Sequence, residues 1–185
     1  MQRAIPKSVI ILFALSMGIC FPIIALSVVN YGTLSIWLNS TVASLILIHH
    51  FVFFFVSFVA KKRSPRPKIV IDEDDPKTVL PLEEEEPSTF IHIVNVFSLT
   101  FLFVLNAIAF VIMVDITRLG GVKSTLPTER IGSHKWNIKI EIGQTSILGV
   151  ELLVLSAILA MCISGRRRFS AEQKEKMDEM DYGLI

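Results

Sequence analysis

Two neighbouring histidines and one glutamate lie inside long apolar stretches of the chain. His49 and His50 interrupt the run LILIHHFVFFFVSF, and Glu151 is the single carboxylate between Gly143 and Ser164. Imidazole and carboxyl groups in apolar surroundings can ligate a metal or a haem, relay a proton, or hydrogen-bond between helices. The chemistry open to them depends on which helices carry them and at what depth.

The apolar stretches predict four membrane-spanning helices. The 185-residue chain is 52% hydrophobic, and its apolar residues cluster in segments longer than the roughly 20 residues that cross a hydrocarbon core about 30 Å thick. Lipid offers the backbone no hydrogen-bond partner, so each segment should be an α-helix. We therefore expect an all-α membrane protein, a four-transmembrane-helix bundle with spans at residues 8–29, 36–60, 90–114 and 143–164.

The distribution of Lys and Arg predicts that both termini lie in the cytosol. Thirteen of these 18 residues fall in the N-terminal flank (1–7), the second connection (61–89) and the tail (165–185). The other five fall in the third connection, residues 115–142, and the first connection, residues 30–35, has none. Because basic residues stay on the cytosolic side, segment 115–142 is expected to be extracellular or lumenal.

The first apolar segment has a second interpretation, as a cleavable signal peptide. Arg3 and Lys7 form a basic flank, and Ala25-Leu26-Ser27 resembles a cleavage site. The apolar stretch is longer than the roughly 7 to 15 residues usual in a signal peptide, which favours a retained helix. Cleavage would leave the orientation of the other helices unchanged.

Two basic clusters directly follow the second and fourth predicted helices. Their position makes them topology anchors and also places them beside lipid headgroups. Each basic residue near an anionic inner leaflet adds about 1 kcal/mol of attraction. The clusters consist of Lys61, Lys62 and Arg63, and of Arg166, Arg167 and Arg168.

The cytosolic connection, residues 61–89, has the composition of a linker. It contains five prolines and two acidic blocks, and such a segment buries too little apolar surface to offset its ordering entropy. We expect disorder. The segment is either a solvated tether or a docking site for a basic cytosolic partner.

The end of the outer connection has a different pattern. Ile138, Ile140 and Ile142 alternate with polar residues, which predicts a short β ribbon with one half-buried face. An interfacial loop anchored by Trp136 is the alternative.

Depth along each helix tests for a metal or a haem. At about 1.5 Å per residue, His49 and His50 lie about 20 Å from the outer face, and His92 lies about 33 Å from it. A bis-histidine haem needs imidazoles at matching depth. Cys20 and Cys162 lie about 14 and 28 Å deep, so no zinc ligand set converges. The sequence therefore predicts no metal and no cofactor.

Helical phase and depth predict an intramembrane polar layer instead. Adjacent residues on a helix point about 100° apart, so one histidine should face the bundle, and His50 shares a small, polar stripe with Asn39. Glu151 and Asn106 both lie about 12 Å deep, which predicts a hydrogen bond between them. The histidines lie about 8 Å deeper, within reach through bridging waters. The layer comprises Glu151, Asn106, His50, His49 and Asn39.

Two short patterns in the tail bear on regulation and traffic. In RRRFS, Ser170 follows a basic cluster as basophilic kinases prefer, and an added phosphate there would weaken attraction to anionic lipid. The terminal YGLI, from Tyr182 to Ile185, resembles a tyrosine-based sorting signal.

The plan of the chain resembles that of MARVEL-like proteins, which have four helices and both termini cytosolic. More narrowly, the chain resembles uncharacterised small four-helix membrane proteins of basidiomycete fungi. The residues that carry this resemblance are His49-His50 in the second helix and QTSILGVELLVL, where Gln144 and Glu151 open the fourth. The resemblance covers all four spans and implies no activity, cofactor or site.

The sequence favours a membrane protein that is not an enzyme. It holds no nucleophile triad, converged metal set or cofactor loop, and nothing in it indicates nucleic-acid binding. We expect an organiser or adaptor of the plasma membrane or an endomembrane, with the polar layer as a clamp that fixes helix register. Its expected partners are the lipid bilayer, further copies of itself, or a cytosolic protein at residues 61–89. The alternative is a small proton- or cation-coupled transporter, or a channel subunit, that uses Glu151.

Overall fold

The computed structural model describes residues 5–29, 34–63, 92–119 and 138–182. Most of the two long connections falls between these ranges. The predictions made for the cytosolic connection beyond Arg63, for Trp136 and for Ile185 therefore lie outside the described residues.

The described residues form four α-helices, each overlapping one predicted span. All four are long and apolar enough to cross a membrane. This part of the chain is an all-α four-helix bundle with the character of a multi-pass membrane protein. The helices are α1 (Lys7–Val29), α2 (Leu34–Arg63), α3 (Ile93–Leu119) and α4 (Ile138–Tyr182).

The helices pack in a square that follows chain order. α1 packs against α2 and α4, and α3 packs against the same two helices. Within the described ranges the diagonal pairs do not pack against each other. Neighbours are antiparallel, since Phe13 of α1 stacks on Phe53 of α2 whereas Ser16 contacts His50. We call the end where α1 stops and α4 begins the Val29 end, and the opposite end the Lys7 end.

Buried positions repeat at intervals of three and four residues along α1 and α4. This repeat directs one stripe of each helix towards its neighbours, as in left-handed helix bundles. The stripe mixes apolar residues with serine, glutamine and glutamate, so polar groups lie within the core. It consists of Val9, Phe13, Ser16, Cys20, Ile23 and Ser27 on α1, and of Glu141, Gln144, Leu148, Glu151, Leu155, Ile158 and Cys162 on α4.

The outward faces of the helices carry large apolar side chains. Trp37, Phe55, Phe97 and Leu153 are each at least 69% exposed. A surface of this kind promotes association in water, whereas lipid chains solvate it. Polar groups inside and apolar groups outside are what a bundle embedded in a bilayer requires.

The predicted β ribbon is wrong at residues 138–142, because these residues form the first turns of α4. Alternation would bury the isoleucines on one face, but Glu141 is 1% exposed and Ile142 is 51% exposed. Burial therefore follows the helical stripe that continues to Gln144. An alternating pattern over so few residues is weaker than the helical period of the long segment that it begins.

α4 does not stop where its predicted span ends, at Ser164, but runs on to Tyr182. The predicted tail therefore begins as a continuation of the fourth helix. The 45 residues of α4 extend about 68 Å, which is more than twice the thickness of a hydrocarbon core of about 30 Å.

Candidate functional site

The centre of the bundle holds a serine hydroxyl between a histidine and a glutamate from different helices. Ser16 of α1 is fully buried, as are His50 of α2 and Glu151 of α4. The Ser16 hydroxyl donates a hydrogen bond to Glu151 Oε1. His50 Nε2 lies 2.9 Å from the same hydroxyl oxygen. One side chain of α1 thus joins α2 to α4.

The Ser16 hydroxyl has a single proton, which links the tautomers of both histidines to the ionisation of Glu151. When Glu151 is ionised and accepts that proton, His50 Nε2, 2.9 Å from the hydroxyl oxygen, is the donor of the second hydrogen bond. His50 Nδ1 is then an acceptor, and His49 Nδ1, 3.2 Å away, donates to it. The result is a directed chain of hydrogen bonds, His49 to His50 to Ser16 to Glu151, which we call the central chain.

Asn95 extends the central chain to the remaining helix. Its side chain, on α3, hydrogen-bonds to His49. The Asn95 Nδ2 group also lies 3.9 Å from the sulfur of Cys162 on α4. Polar side chains therefore link all four helices through the interior.

Three phenylalanines close the central chain on the side of the Lys7 end. The Phe13 ring lies 4.5 Å from the His50 ring, centroid to centroid. It also stacks on Phe53 at 4.4 Å, and Phe54 packs edge-on against both rings. These rings lie between the central chain and the Lys7 end of α1 and α2.

The structure buries four of the five residues of the predicted polar layer and leaves His49 half-buried. Glu151, Asn106, His50 and Asn39 have no exposed surface. His49, His50 and Glu151 belong to the central chain, and His49 is at one end of it. Asn106 and Asn39 lie outside that chain.

The predicted hydrogen bond between Glu151 and Asn106 is wrong. Asn106 Nδ2 donates to the backbone carbonyl of Leu148, at 3.4 Å, and Glu151 accepts from Ser16. The depth of Glu151 was underestimated because α4 begins at Ile138, which places Glu151 about 20 Å along its helix. Ser16 lies at the same depth in α1. Its hydroxyl therefore joins Glu151 to His50, where bridging waters were expected.

Ser16 is the site residue that sequence reasoning missed. A serine in an apolar helix has no strong signal of its own, since it commonly bonds to a carbonyl one turn earlier. The signal that could have found it is the spacing of the stripe, because Ser16 lies three residues after Phe13 and four before Cys20. A polar residue in that phase must face the bundle.

A second set of buried polar side chains lies near the Val29 end. Gln144 Nε2 donates to Ser27 Oγ at 2.9 Å, and Ser27 Oγ donates to the Ile23 carbonyl at 2.8 Å. Glu141, one turn nearer the end of the bundle, is 1% exposed. On the α3–α4 side, a pair of threonine hydroxyls lies 2.9 Å apart, those of Thr117 and Thr145.

The remaining predicted sites that the structure describes are residues of α2 and α4. Residues 61–63 form the last turn of α2, and residues 166–168 continue α4. Arg167, Arg168 and Ser170 are exposed, whereas Arg166 is half-buried. Tyr182 is the last residue of α4. Lipid binding, phosphorylation and sorting at these positions stay predictions.

No group of three or more His, Cys, Asp or Glu residues in the part of the chain that the structure describes is placed to hold a metal ion. Cys20 and Cys162 are both buried and free.

No family model matches the chain, and no curated protein or solved structure matches it.

Replacing Ser16 with alanine should destabilise the bundle more than a serine substitution on its surface. Ser16→Ala leaves Glu151 Oε1 and His50 Nε2 unpaired in the interior, which costs about 1 to 2 kcal/mol of unfolding free energy. Ser8→Ala, at an exposed position of the same helix, is the matched control. Unfolding in mixed micelles, followed by circular dichroism, measures both. Equal effects of the two substitutions would contradict the central chain.

The central chain also predicts a different tautomer for each of the two histidines. In ¹⁵N spectra of the full chain in nanodiscs, neutral His50 should carry its proton on Nε2 and His49 on Nδ1. Substituting His92 and His134 by glutamine leaves only this pair of signals. Ser16→Ala should remove the preference at His50. A proton on Nδ1 of His50 would show that the chain does not run in this direction.

Proposed function

We propose that the protein is a multi-pass membrane organiser or adaptor of MARVEL-like plan, without catalytic activity. In this role the bundle is a stable support, and its central chain is a clamp that fixes the register of the helices. The proposal places it in the plasma membrane or an endomembrane with both termini cytosolic.

The observation that carries this proposal is that one polar chain reaches all four helices. Ser16 hydrogen-bonds to both His50 and Glu151. The rings of Phe13 and Phe53 cover this group on one side. Lipid provides no hydrophobic force between helices, so interhelical hydrogen bonds and close packing hold such bundles together. Polar groups that hydrogen-bond to their neighbours and are covered by aromatic rings are better placed to hold helices together than to line an aqueous path.

The partners we propose are lipids, further copies of the chain and cytosolic proteins that reach the connection at residues 61–89. Arg167 and Arg168 are exposed on α4 just beyond the predicted span. There they would meet the headgroups of an anionic inner leaflet.

A second candidate function is proton-coupled transport, alone or as a channel subunit. Two observations favour it: Ser16 joins His50 to Glu151 in series, and Glu151 Oε2 has no hydrogen-bond partner among the described residues. Histidine, serine and glutamate in series are the groups of which proton relays in membranes are made.

Two substitutions at Glu151 separate these functions. Glu151→Gln keeps an acceptor for Ser16 but cannot exchange a proton, and Glu151→Leu removes the acceptor. An organiser should show no proton flux in vesicles. It should keep its stability as the glutamine variant and lose about 1 to 2 kcal/mol as the leucine variant.

Flux measured with an enclosed pH-sensitive dye, and unfolding in micelles, give both readouts. Proton flux in the natural chain that disappears in a fully folded Glu151→Gln variant would overturn the organiser proposal and establish transport. Val150→Ala, at an exposed neighbouring position, should change neither readout.

The lipid contact predicts a graded effect of charge along α4. Arg167→Gln should lower the enrichment of phosphatidylserine around the protein about fivefold, since one basic residue at the surface adds about 1 kcal/mol. Lys174→Gln removes the same charge about 10 Å farther along the helix, near the screening length, and should have little effect. Energy transfer from the labelled chain to labelled lipid measures the enrichment. Equal losses would argue against a headgroup site at Arg167.

A further inference from the structure

Four buried polar side chains near the Val29 end form a group separate from the central chain. Ser27 lies on α1, Asn39 on α2, and Glu141 and Gln144 on α4; none is more than 6% exposed. We call these four residues the Val29-end layer. They occupy the inward stripe of their helices, where apolar residues would normally pack.

The helix register brings Asn39 to the level of Ser27. α1 and α2 are antiparallel, with Ser16 against His50, so moving eleven residues towards the Val29 end on both helices sets Ser27 against Asn39. Ser27 also accepts a hydrogen bond from Gln144 Nε2 at 2.9 Å. By this register Asn39 lies close to the level of Ser27 and Gln144, and Glu141 lies one turn nearer the end.

Most polar atoms of this layer lack a partner. Among the described residues, no hydrogen bond reaches Asn39 Oδ1, Asn39 Nδ2, Gln144 Oε1 or either carboxyl oxygen of Glu141. Each buried polar group left unpaired costs about 1 to 3 kcal/mol, and a charged group costs more. Of the eight buried side-chain atoms without a partner in the described part of the chain, five fall in this layer, so it is the place where a bound ligand would satisfy most of them.

The chemistry of the unpaired atoms indicates what the ligand is. Four of the five are oxygens, and carboxylate and amide oxygens are the ligands of hard cations. The layer carries a single carboxylate. One monovalent cation would leave the buried site neutral, whereas a divalent cation would leave a net charge in a medium of low dielectric constant.

We propose that the Val29-end layer binds a small monovalent cation, such as sodium, through oxygens of Glu141, Gln144 and Asn39. Asn39 Nδ2 is the one unpaired atom that the cation does not satisfy. The proposal does not rest on the organiser function and requires no transport.

Thermal unfolding of the purified full chain in nanodiscs tests the site. Sodium is varied against choline at constant total chloride, so that general screening stays unchanged. A cation that binds only the folded state raises Tm by about 3 to 5 °C for each tenfold increase above its dissociation constant. Binding of ²²Na⁺ to the same sample should saturate over the same range.

Glu141→Gln removes the charged ligand and should abolish both the sodium dependence of Tm and ²²Na⁺ binding. The variant should still fold, because it also removes a buried charge. Asp115→Asn is the matched control, since Asp115 is an exposed carboxylate of α3 near the same end, and it should keep the full dependence. Asn39→Ala should raise the sodium concentration for half-maximal shift about tenfold.

Two results would overturn the proposal. One is a Tm of the natural chain that does not respond to sodium at constant ionic strength, with no saturable ²²Na⁺ binding. The other is a Glu141→Gln variant that folds and keeps the slope of the natural chain. Either result would leave the proton-flux measurements on Glu151 unaffected, so the two proposals fail independently.

Discussion

A hydroxyl group carries one proton, and at Ser16 that fact constrains the whole interior. With the proton given to Glu151, His50 must donate from Nε2 and His49 from Nδ1. These assignments fix how the rings of α2 face α1, and Asn95 carries the constraint to α3. Sliding any helix by one residue would rotate its polar group out of this chain. The register of the bundle therefore depends on a side chain of two heavy atoms.

The bundle differs from a water-soluble protein in its apolar surface and in the polar groups that lie within its apolar core. Its outer faces display Trp37 and Phe97, while carboxyl, amide and imidazole groups lie inside. In lipid, burying apolar surface gives little net gain, so association depends on close packing and interhelical hydrogen bonds. Phe13 contributes to both, since it stacks on Phe53 and also covers His50. Aromatic packing and hydrogen bonding thus both stabilise the part of the core around His50.

Much of the fold, and less of the site, could be predicted from the sequence. Hydropathy indicated four helices because a span needs a long apolar run, and helical phase distinguished His50 from His49. Phase and depth failed where they needed a helix end: α4 begins at Ile138, ahead of its apolar run. That error misplaced Glu151 along the bundle, and the alternation of isoleucines with polar residues made residues 138–142 look like a strand. Ser16 gave no compositional signal, since its importance comes from contacts on two other helices.

α4 is one unbroken helix from Ile138 to Tyr182, so the residues beyond the predicted span continue the helix axis instead of forming a separate tail. Glu151 and Ser170 lie on the same rod, about 28 Å apart along its axis. The angular position of Ser170 about that axis is consequently tied to the buried stripe of α4, which contains Glu151 and ends near the half-buried Phe169. The direction in which the exposed arginines face therefore depends on how the interior of the bundle packs.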